Sequence, residues 1–188
     1  MIISNIEIMG LESSIKASKY PMSVDIGSLT PEITPTVRKL FSSPEGQGHS
    51  QALTGIVVNF DLTMSIKAWY EAERYRFLYF VSSQSLMHRV SKFNIDEQCN
   101  EYVTKNTLNE VKRLLDIYNS TKSEEDYLTL LYNIPTGFKF TARMTTNYRQ
   151  LKTIYLQRKQ HRLPEWREFC RCIKELPHFS ELCLGEIE

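Results

Sequence analysis

Between Gln84 and Tyr102 the chain gathers His88, Arg89, Lys92 and Asn94 into one short segment, and a second group, Asn147, Arg149 and Arg158, follows towards the C-terminal end. Both groups are rich in hydrogen-bond donors. Guanidinium forks bind phosphates and carboxylates bidentately, while imidazole and amide groups meet the polar edges of planar rings. Asn147, Leu151 and Arg158 recur at helical spacing and share one face of a predicted helix. Each group also has a plainer reading. Arg149 and Arg158, with Lys152, Lys159 and Arg162, make an ordinary solvated basic face, and His88-Arg89 suits a helix C-terminus, where the macrodipole favours cations.

The common catalytic motifs are absent. The sequence has no Gly-rich phosphate loop, no Gly-x-Ser-x-Gly elbow and no His-Glu-x-x-His helix. Asp61, Glu71, Glu73, Asp96, Glu97 and Glu101 could supply carboxylates, but their spacing pairs none of them. Of the four cysteines, Cys170 and Cys172 lie close together and Cys99 and Cys183 stand apart, so no zinc pattern forms and free, inert thiols are expected, with no metal.

The bulk numbers exclude several classes. A net charge of +1 over 188 residues gives no field for nucleic acid, although Tyr148, Tyr155 and Trp166 interleave with basic residues from Arg143 to Arg167 and could stack on bases. No apolar run is long enough to span a membrane, and the first residues lack the pattern of a signal peptide, so a cytoplasmic protein is expected. The length and composition suit one domain over 1–188 with its own core.

Periodicity supplies the elements that must position these groups. Ile2–Ile8 is a predicted strand, Leu11–Lys19 and Thr36–Phe41 are short helices, and Ser42–Ser50, with Pro44, Gly46 and Gly48, is a loop. Leu53–Leu62 is β-branched and apolar and predicts a buried strand. Thr63 caps a predicted helix to about Met87, and Trp69, Tyr70, Tyr75, Phe77, Leu78, Phe80 and Val81 spread so widely around it that burial is expected. Helices are predicted over Asn106–Asn119, from Ser123 to before Pro135, from Asn147 to about Gln160 under a Thr146 cap, and from Pro164 to about Leu176. A strand is predicted over Gly137–Met144. Two strands enclosing a helical middle favour an α+β fold, a mixed sheet with long flanking helices.

Three segments, in order and spacing, resemble the flavin-dependent thymidylate synthase family. The family's Gly-His segment leading into an apolar strand is similar to Gly48-His49 through Phe60. Its helix ending Gln-x-x-Arg-His-Arg, followed by Ser-x-Asn-x-x-Ser-x-Arg-Tyr, resembles Gln84 to Arg89 and then Asn94 to Tyr102. Its late Leu-Pro, Asn-x-Arg and Gln-Trp-Glu segments are similar to Ile134-Pro135, Asn147 to Arg149, Arg158, and Glu165-Trp166. Met87, Cys99 and Glu101 depart from the pattern, and Glu in place of Arg reverses the sign of a phosphate contact.

The resemblance implies a flavin-dependent transfer of a one-carbon unit, methyl or hydroxymethyl, to C5 of a uracil-type pyrimidine nucleotide. It implies FAD as cofactor, with NADPH and methylenetetrahydrofolate as co-reactants, and a homotetramer with FAD held where subunits meet. His88, Arg89, Asn94 and Asn147 would then bind the flavin. Gln84, Arg149 and Arg158 would bind the nucleotide, with Arg158 catalytic. The departures motivate an alternative: a catalytically inactive nucleotide-binding or protein-interaction module on the same fold.

Overall fold

The structure is a computed structural model, and it describes residues 1–44 and 46–186. In chain order the elements are β1 (Ile2–Met9), α1 (Leu11–Ala17), α2 (Pro35–Ser42), β2 (Val57–Ser65), α3 (Ile66–Ala72), β3 (Tyr79–Ser83), α4 (Leu86–Arg89), α5 (Ile95–Gln98), α6 (Lys105–Thr121), α7 (Glu124–Tyr132), β4 (Lys139–Asn147), α8 (Tyr148–Arg158) and α9 (Pro164–Lys174). A 3-10 helix covers His49–Gly55 and a π-helix Ser180–Leu184.

The four strands form one sheet in the order β1-β2-β4-β3, antiparallel at every pairing. The expected α+β class is therefore the class found. Period-two alternation sets the sheet's two faces. Val58, Phe60, Leu62 and Met64 of β2 and Ala142, Met144 and Thr146 of β4 are buried on one face. That face meets Leu151 and Ile154 of α8, Trp166, Phe169 and Ile173 of α9, and Phe179 and Leu182 beyond them. The other face is polar and pairs across β2 and β4: Thr63 with Thr141 at 2.7 Å, Asn59 with Thr145 at 2.7 Å, and Asp61 with Arg143 at 3.3 Å. A second apolar cluster joins Val90, Ile95 and Cys99 to Val111, Leu114, Leu130 and Phe138. It seats α4 and α5 against α6, α7 and the entry to β4.

Several predicted elements match. Ser123 caps α7 by accepting from Asp126 N–H at 3.1 Å, and Pro164 opens α9. Asn147, rather than Thr146, caps α8, its Oδ1 accepting from Gln150 N–H at 2.9 Å. Gly10 sits at φ 78° between β1 and α1, where an added Cβ would lie 2.2 Å from Gly55 O, so the turn requires glycine.

The largest correction concerns the predicted helix from Thr63 to Met87. β2 runs on through Thr63 to Ser65, and Ser65 is the cap, accepting from Ala68 N–H at 3.3 Å. α3 then lasts seven residues before the chain turns and re-enters the sheet as β3. Phe77 to Val81 is aromatic and β-branched, so sheet propensity prevails once β4 offers an open edge. The expected burial splits accordingly. Trp69, Tyr75 and Leu78 are buried, whereas Tyr70, Phe77, Phe80 and Val81 are exposed. The apolar strand also starts later than expected, because Leu53–Gly55 belongs to the 3-10 helix.

Candidate functional site

The expected site residues fall in three places. Gln84 follows β3, where its N–H donates to Thr141 O and its Oε1 accepts from Thr141 N–H, both at 2.9 Å, so its side chain extends the β3–β4 ladder. His88 and Arg89 form the exposed last turn of α4, which Ser85 caps through His88 N–H at 3.2 Å. Tyr127 O–H donates to Met87 O at 2.7 Å and ties that turn to α7. Asn94 is the exposed cap of α5, its Oδ1 accepting from Asp96 N–H at 3.2 Å. Asn147 and Arg149 lie at the far end of β4, where Arg149 Nη1 meets Gln51 Oε1 of the 3-10 helix. Thr141 and Asn147 are six residues apart along β4, about 20 Å at the usual rise per strand residue. Within one chain, β4 therefore holds the Gln84 end and the Asn147 end apart.

Arg158 lies in the third place. It ends α8, nine residues and about 13 Å beyond Arg149 along the helix, and is only 7% exposed. Its Nε donates to Tyr75 O–H at 2.7 Å and its Nη1 to Glu71 Oε2 at 2.9 Å. Its guanidinium carbon stands 5.0 Å from the Trp166 ring centroid and 5.6 Å from that of Tyr75, within cation–π range. Tyr75 O–H in turn donates to Gln157 Oε1 at 3.1 Å.

His161 completes the cluster. Its Nδ1 accepts from Leu163 N–H at 3.2 Å, and its Nε2 lies 3.3 Å from Glu71 Oε2. Nε2 also stands 2.6 Å from Arg158 Nη1. Burial, and then the Arg158 charge, hold the His161 pKa below its usual value, against the opposing pull of Glu71. For Glu71, burial acts upward, but Lys67, His161 and Arg158 together bring its carboxyl below the ordinary range. Glu71 is thus ionised beside a neutral histidine at pH 7.

The observed end of α3 reveals residues that the sequence reading passed over. The family pattern Gln-x-x-Arg-His-Arg belongs at the end of the helix after the apolar strand. That helix is α3, and at its end the same spacing gives Glu71-Ala72-Glu73-Arg74-Tyr75-Arg76. Both arginines are kept and exposed, tyrosine stands for histidine and glutamate for glutamine. Two members, Glu71 and Tyr75, are the direct partners of Arg158. The spacing thus occurs from Glu71 as well as from Gln84, thirteen residues further on.

A cleft of about 830 Å³ opens nearby, between residues 100–104, residues 135–137 and the first turns of α9. Lys67, Lys139, Arg162 and Arg167 line it with Glu101, Glu165 and Glu168. Glu165 is committed to the start of α3, accepting from Ser65 N–H at 2.7 Å and Ser65 O–H at 2.5 Å. Gln84, His88, Arg89, Asn94, Asn147, Arg149 and Arg158 are not among the residues that line this cleft.

Cys99, Cys170 and Cys183 are buried and unbridged, and burial pushes the Cys170 thiol up to about 12. Among the described residues no group of three His, Cys, Asp or Glu side chains could hold a metal ion, and no helix is long and apolar enough to cross a membrane.

An antiparallel four-stranded sheet, packed on one face by the last two helices and extended by the α4–α7 layer, is the fold of the flavin-dependent thymidylate synthases. Solved structures that carry it include the following two. A flavin-dependent thymidylate synthase, ThyX, from Helicobacter pylori, complexed with FAD and dUMP, superposes with a TM-score of 0.77 at 14% identity, covering 97% of this chain and 98% of that one. A second structure of ThyX from the same organism, with FAD and dUMP, gives a TM-score of 0.73 at 16% identity over 96% of each chain. No protein-family model and no curated protein sequence matches the chain.

Proposed function

We propose that this chain is a divergent flavin-dependent enzyme of the thymidylate synthase type, transferring a one-carbon unit to C5 of a uracil-type nucleotide. The observation that carries the reading is the meeting of two separate parts of the family pattern. Arg158, the late arginine, packs directly on Glu71 and Tyr75 of the Glu-x-x-Arg-Tyr-Arg turn, 83 to 87 residues away in sequence.

The donor set fits a flavin dinucleotide. Its diphosphate needs fixed cations, and Arg74 and Arg76 lie exposed on the turn after α3. Asn147 and Arg149, at the N-terminus of the eleven-residue α8, would add a side-chain amide and a third guanidinium. His88, Arg89 and Asn94 would serve as outer contacts and Gln84 as a contact to the nucleotide. When bound, FAD would supply the hydride chemistry, with NADPH and methylenetetrahydrofolate as sources of electrons and carbon. The chain itself would orient the ring, exclude water and place positive charge. In this reading Arg158 polarises the pyrimidine once its internal contacts rearrange.

The edge strand supports assembly. All five residues of β3 are exposed, and Tyr79, Phe80 and Val81 stand there with Phe77 and Met87 nearby. An open edge with apolar side chains invites a partner. Assembly as a homotetramer would bring the β3 side and the α8 N-terminus of different copies to one flavin. An absorbance scan of the purified protein with and without added FAD tests the reading. Flavin bands that shift on binding, together with NADPH oxidation dependent on a uracil-type nucleotide, are expected; a colourless protein that leaves the FAD spectrum unchanged would refute it.

One observation favours a second reading, a non-enzymatic nucleotide-binding or protein-interaction module. The guanidinium expected to act on substrate is buried and bonded within its own chain. FAD binding without any NADPH oxidation on addition of a uridine nucleotide would select this reading.

A further inference from the structure

We propose that the cleft between residues 100–104, residues 135–137 and the first turns of α9 is a ligand site of its own. It takes a small organic dianion with a planar body, a phosphate monoester or a dicarboxylate. The proposal does not depend on the flavin reading. Three observations carry it.

The first is a preformed cavity. Its volume of about 830 Å³ lies in the range of small-molecule sites. Its walls are joined through the backbone: Asn100 N–H donates to Gly137 O at 3.0 Å, and Lys67 N–H to Thr136 O at 2.9 Å. Gly137 permits that approach, since an added Cβ would lie 2.4 Å from Val103 Cγ2 and 2.8 Å from Asn100 Oδ1. Glu165 joins α9 to the same frame through the N–H and O–H of Ser65. A ligand therefore has little wall to order on binding, a cost that would subtract from affinity.

The second is uncompensated positive charge. Lys67, Lys139, Arg162, Arg167 and Arg171 line the cleft against three carboxylates. Lys67 pairs with Glu71 and Arg171 with Glu168, while Glu165 is spent on Ser65. Arg167 Nη1 donates to His161 O at 2.7 Å and to Arg162 O at 3.0 Å, contacts that position the guanidinium without neutralising it. The side chains of Lys139 and Arg162 have no hydrogen-bond or carboxylate partner among the described residues. Of the three acids only Glu101 shares that condition, and it is exposed. The uncommitted charge is thus positive, an ammonium at the start of β4 and two guanidinium groups beside and within α9, a set suited to an oxyanion.

The third is a surface for the ligand's body. Tyr102 lines the cleft and is 69% exposed, and Val103, Pro135, Leu163 and Pro164 supply apolar wall. A planar ring can lie against these while the cations hold its charged end. Lys139 opens β4 and Asn147 ends it, eight residues and about 26 Å apart at the usual strand rise. One small ligand in a single chain cannot reach both the cleft and the N-terminus of α8.

Calorimetric titration of the full-length protein at pH 7.5 with phenyl phosphate, isophthalate and uncharged phenol tests the proposal. At least one of the two dianions should bind saturably at one site, and phenol at least about tenfold more weakly, as loss of charge-assisted contacts implies. The tighter of the two dianions assigns the class. The double variant Lys139→Gln, Arg162→Gln should weaken that dianion roughly tenfold or more, while Lys39→Gln, an exposed cation on α2, stays within about twofold. Glu101→Gln should tighten it roughly two- to fivefold, the size of one exposed charge pair. Failure of both dianions to bind, phenol binding as tightly, or a double variant that binds like wild type overturns the proposal. If the double variant does not fold, Arg162→Gln alone, at an exposed position, is read in the same way with a loss of about threefold or more. The flavin reading is judged separately by the FAD spectrum of wild type.

Discussion

The end of α3 and the segment from Leu86 to Gln98 both carry basic side chains, and they differ in what holds those side chains. Arg158, packed on the end of α3, is fixed from several directions: a carboxylate, a phenol and two aromatic faces meet its guanidinium. His88 and Arg89 stand exposed on a helix of four residues that is anchored through its backbone. A site that acts through electrostatic positioning needs side chains whose geometry is set in advance, because ordering them on binding subtracts from affinity. Residue type alone does not distinguish the two regions. The packing beneath them does.

Substitution should separate the regions most sharply in stability. Arg158→Ala leaves Glu71 without its nearest cation and opens a gap against Trp166, so urea denaturation should show a loss of about 3 kcal/mol or more. His88→Ala and Arg89→Ala should each stay within about 0.5 kcal/mol of wild type, as exposed substitutions usually do. Equal losses in both regions would show that the α3 cluster is no more fixed than α4.

A smaller effect is expected at Tyr75. Replacing it with Phe keeps the ring but removes the hydroxyl shared by Arg158 and Gln157, which should cost about 1–2 kcal/mol in the same assay. Tyr79→Phe, on the exposed edge strand, is the matched control and should cost nothing measurable. The helix caps offer a still narrower contrast. Asn147 caps the eleven-residue α8 and Asn94 the four-residue α5. Asn147→Ala should cost about 1 kcal/mol, the usual value of a cap, and Asn94→Ala distinctly less.

The cluster should also respond to acid. His161 has its pKa held below its usual 6.5, so as pH falls through 6.5 the unfolded chain takes up the proton first and the folded state loses stability. Glu71, held below its ordinary 4.5, contributes stability above that value and loses it as pH falls through its own lower pKa. The thermal midpoint should therefore begin to fall near pH 6.5 and fall again below 4.5. His161→Gln should remove the first step and leave the second, and an unchanged first step in that variant would assign it to another group.

Much of the fold was legible because local signals agreed with tertiary context. Ser123 with three acids after it, Pro164 at a helix start and the alternation of Phe138, Phe140 and Ala142 each name one element. The stretch from Thr63 to Met87 was not legible. Its aromatic residues satisfy a helical stripe and a strand alternation at once, and only the open edge of β4 decides for the strand from Tyr79. The partnership of Arg158 with Glu71 could not be read at all, because it joins elements 87 residues apart.

The proposed function makes Arg74 to Arg76, more than His88 to Asn94, the turn that would meet the flavin. An FAD titration followed by the shift of its absorbance bands tests it most directly, comparing Arg74→Ala and Arg76→Ala with His88→Ala and Arg89→Ala. Loss of a charge-assisted phosphate contact should raise Kd roughly tenfold or more for each of the first two, while the second two stay within about threefold of wild type. The reverse pattern, with His88 and Arg89 carrying the affinity and Arg74 and Arg76 silent, would contradict the account.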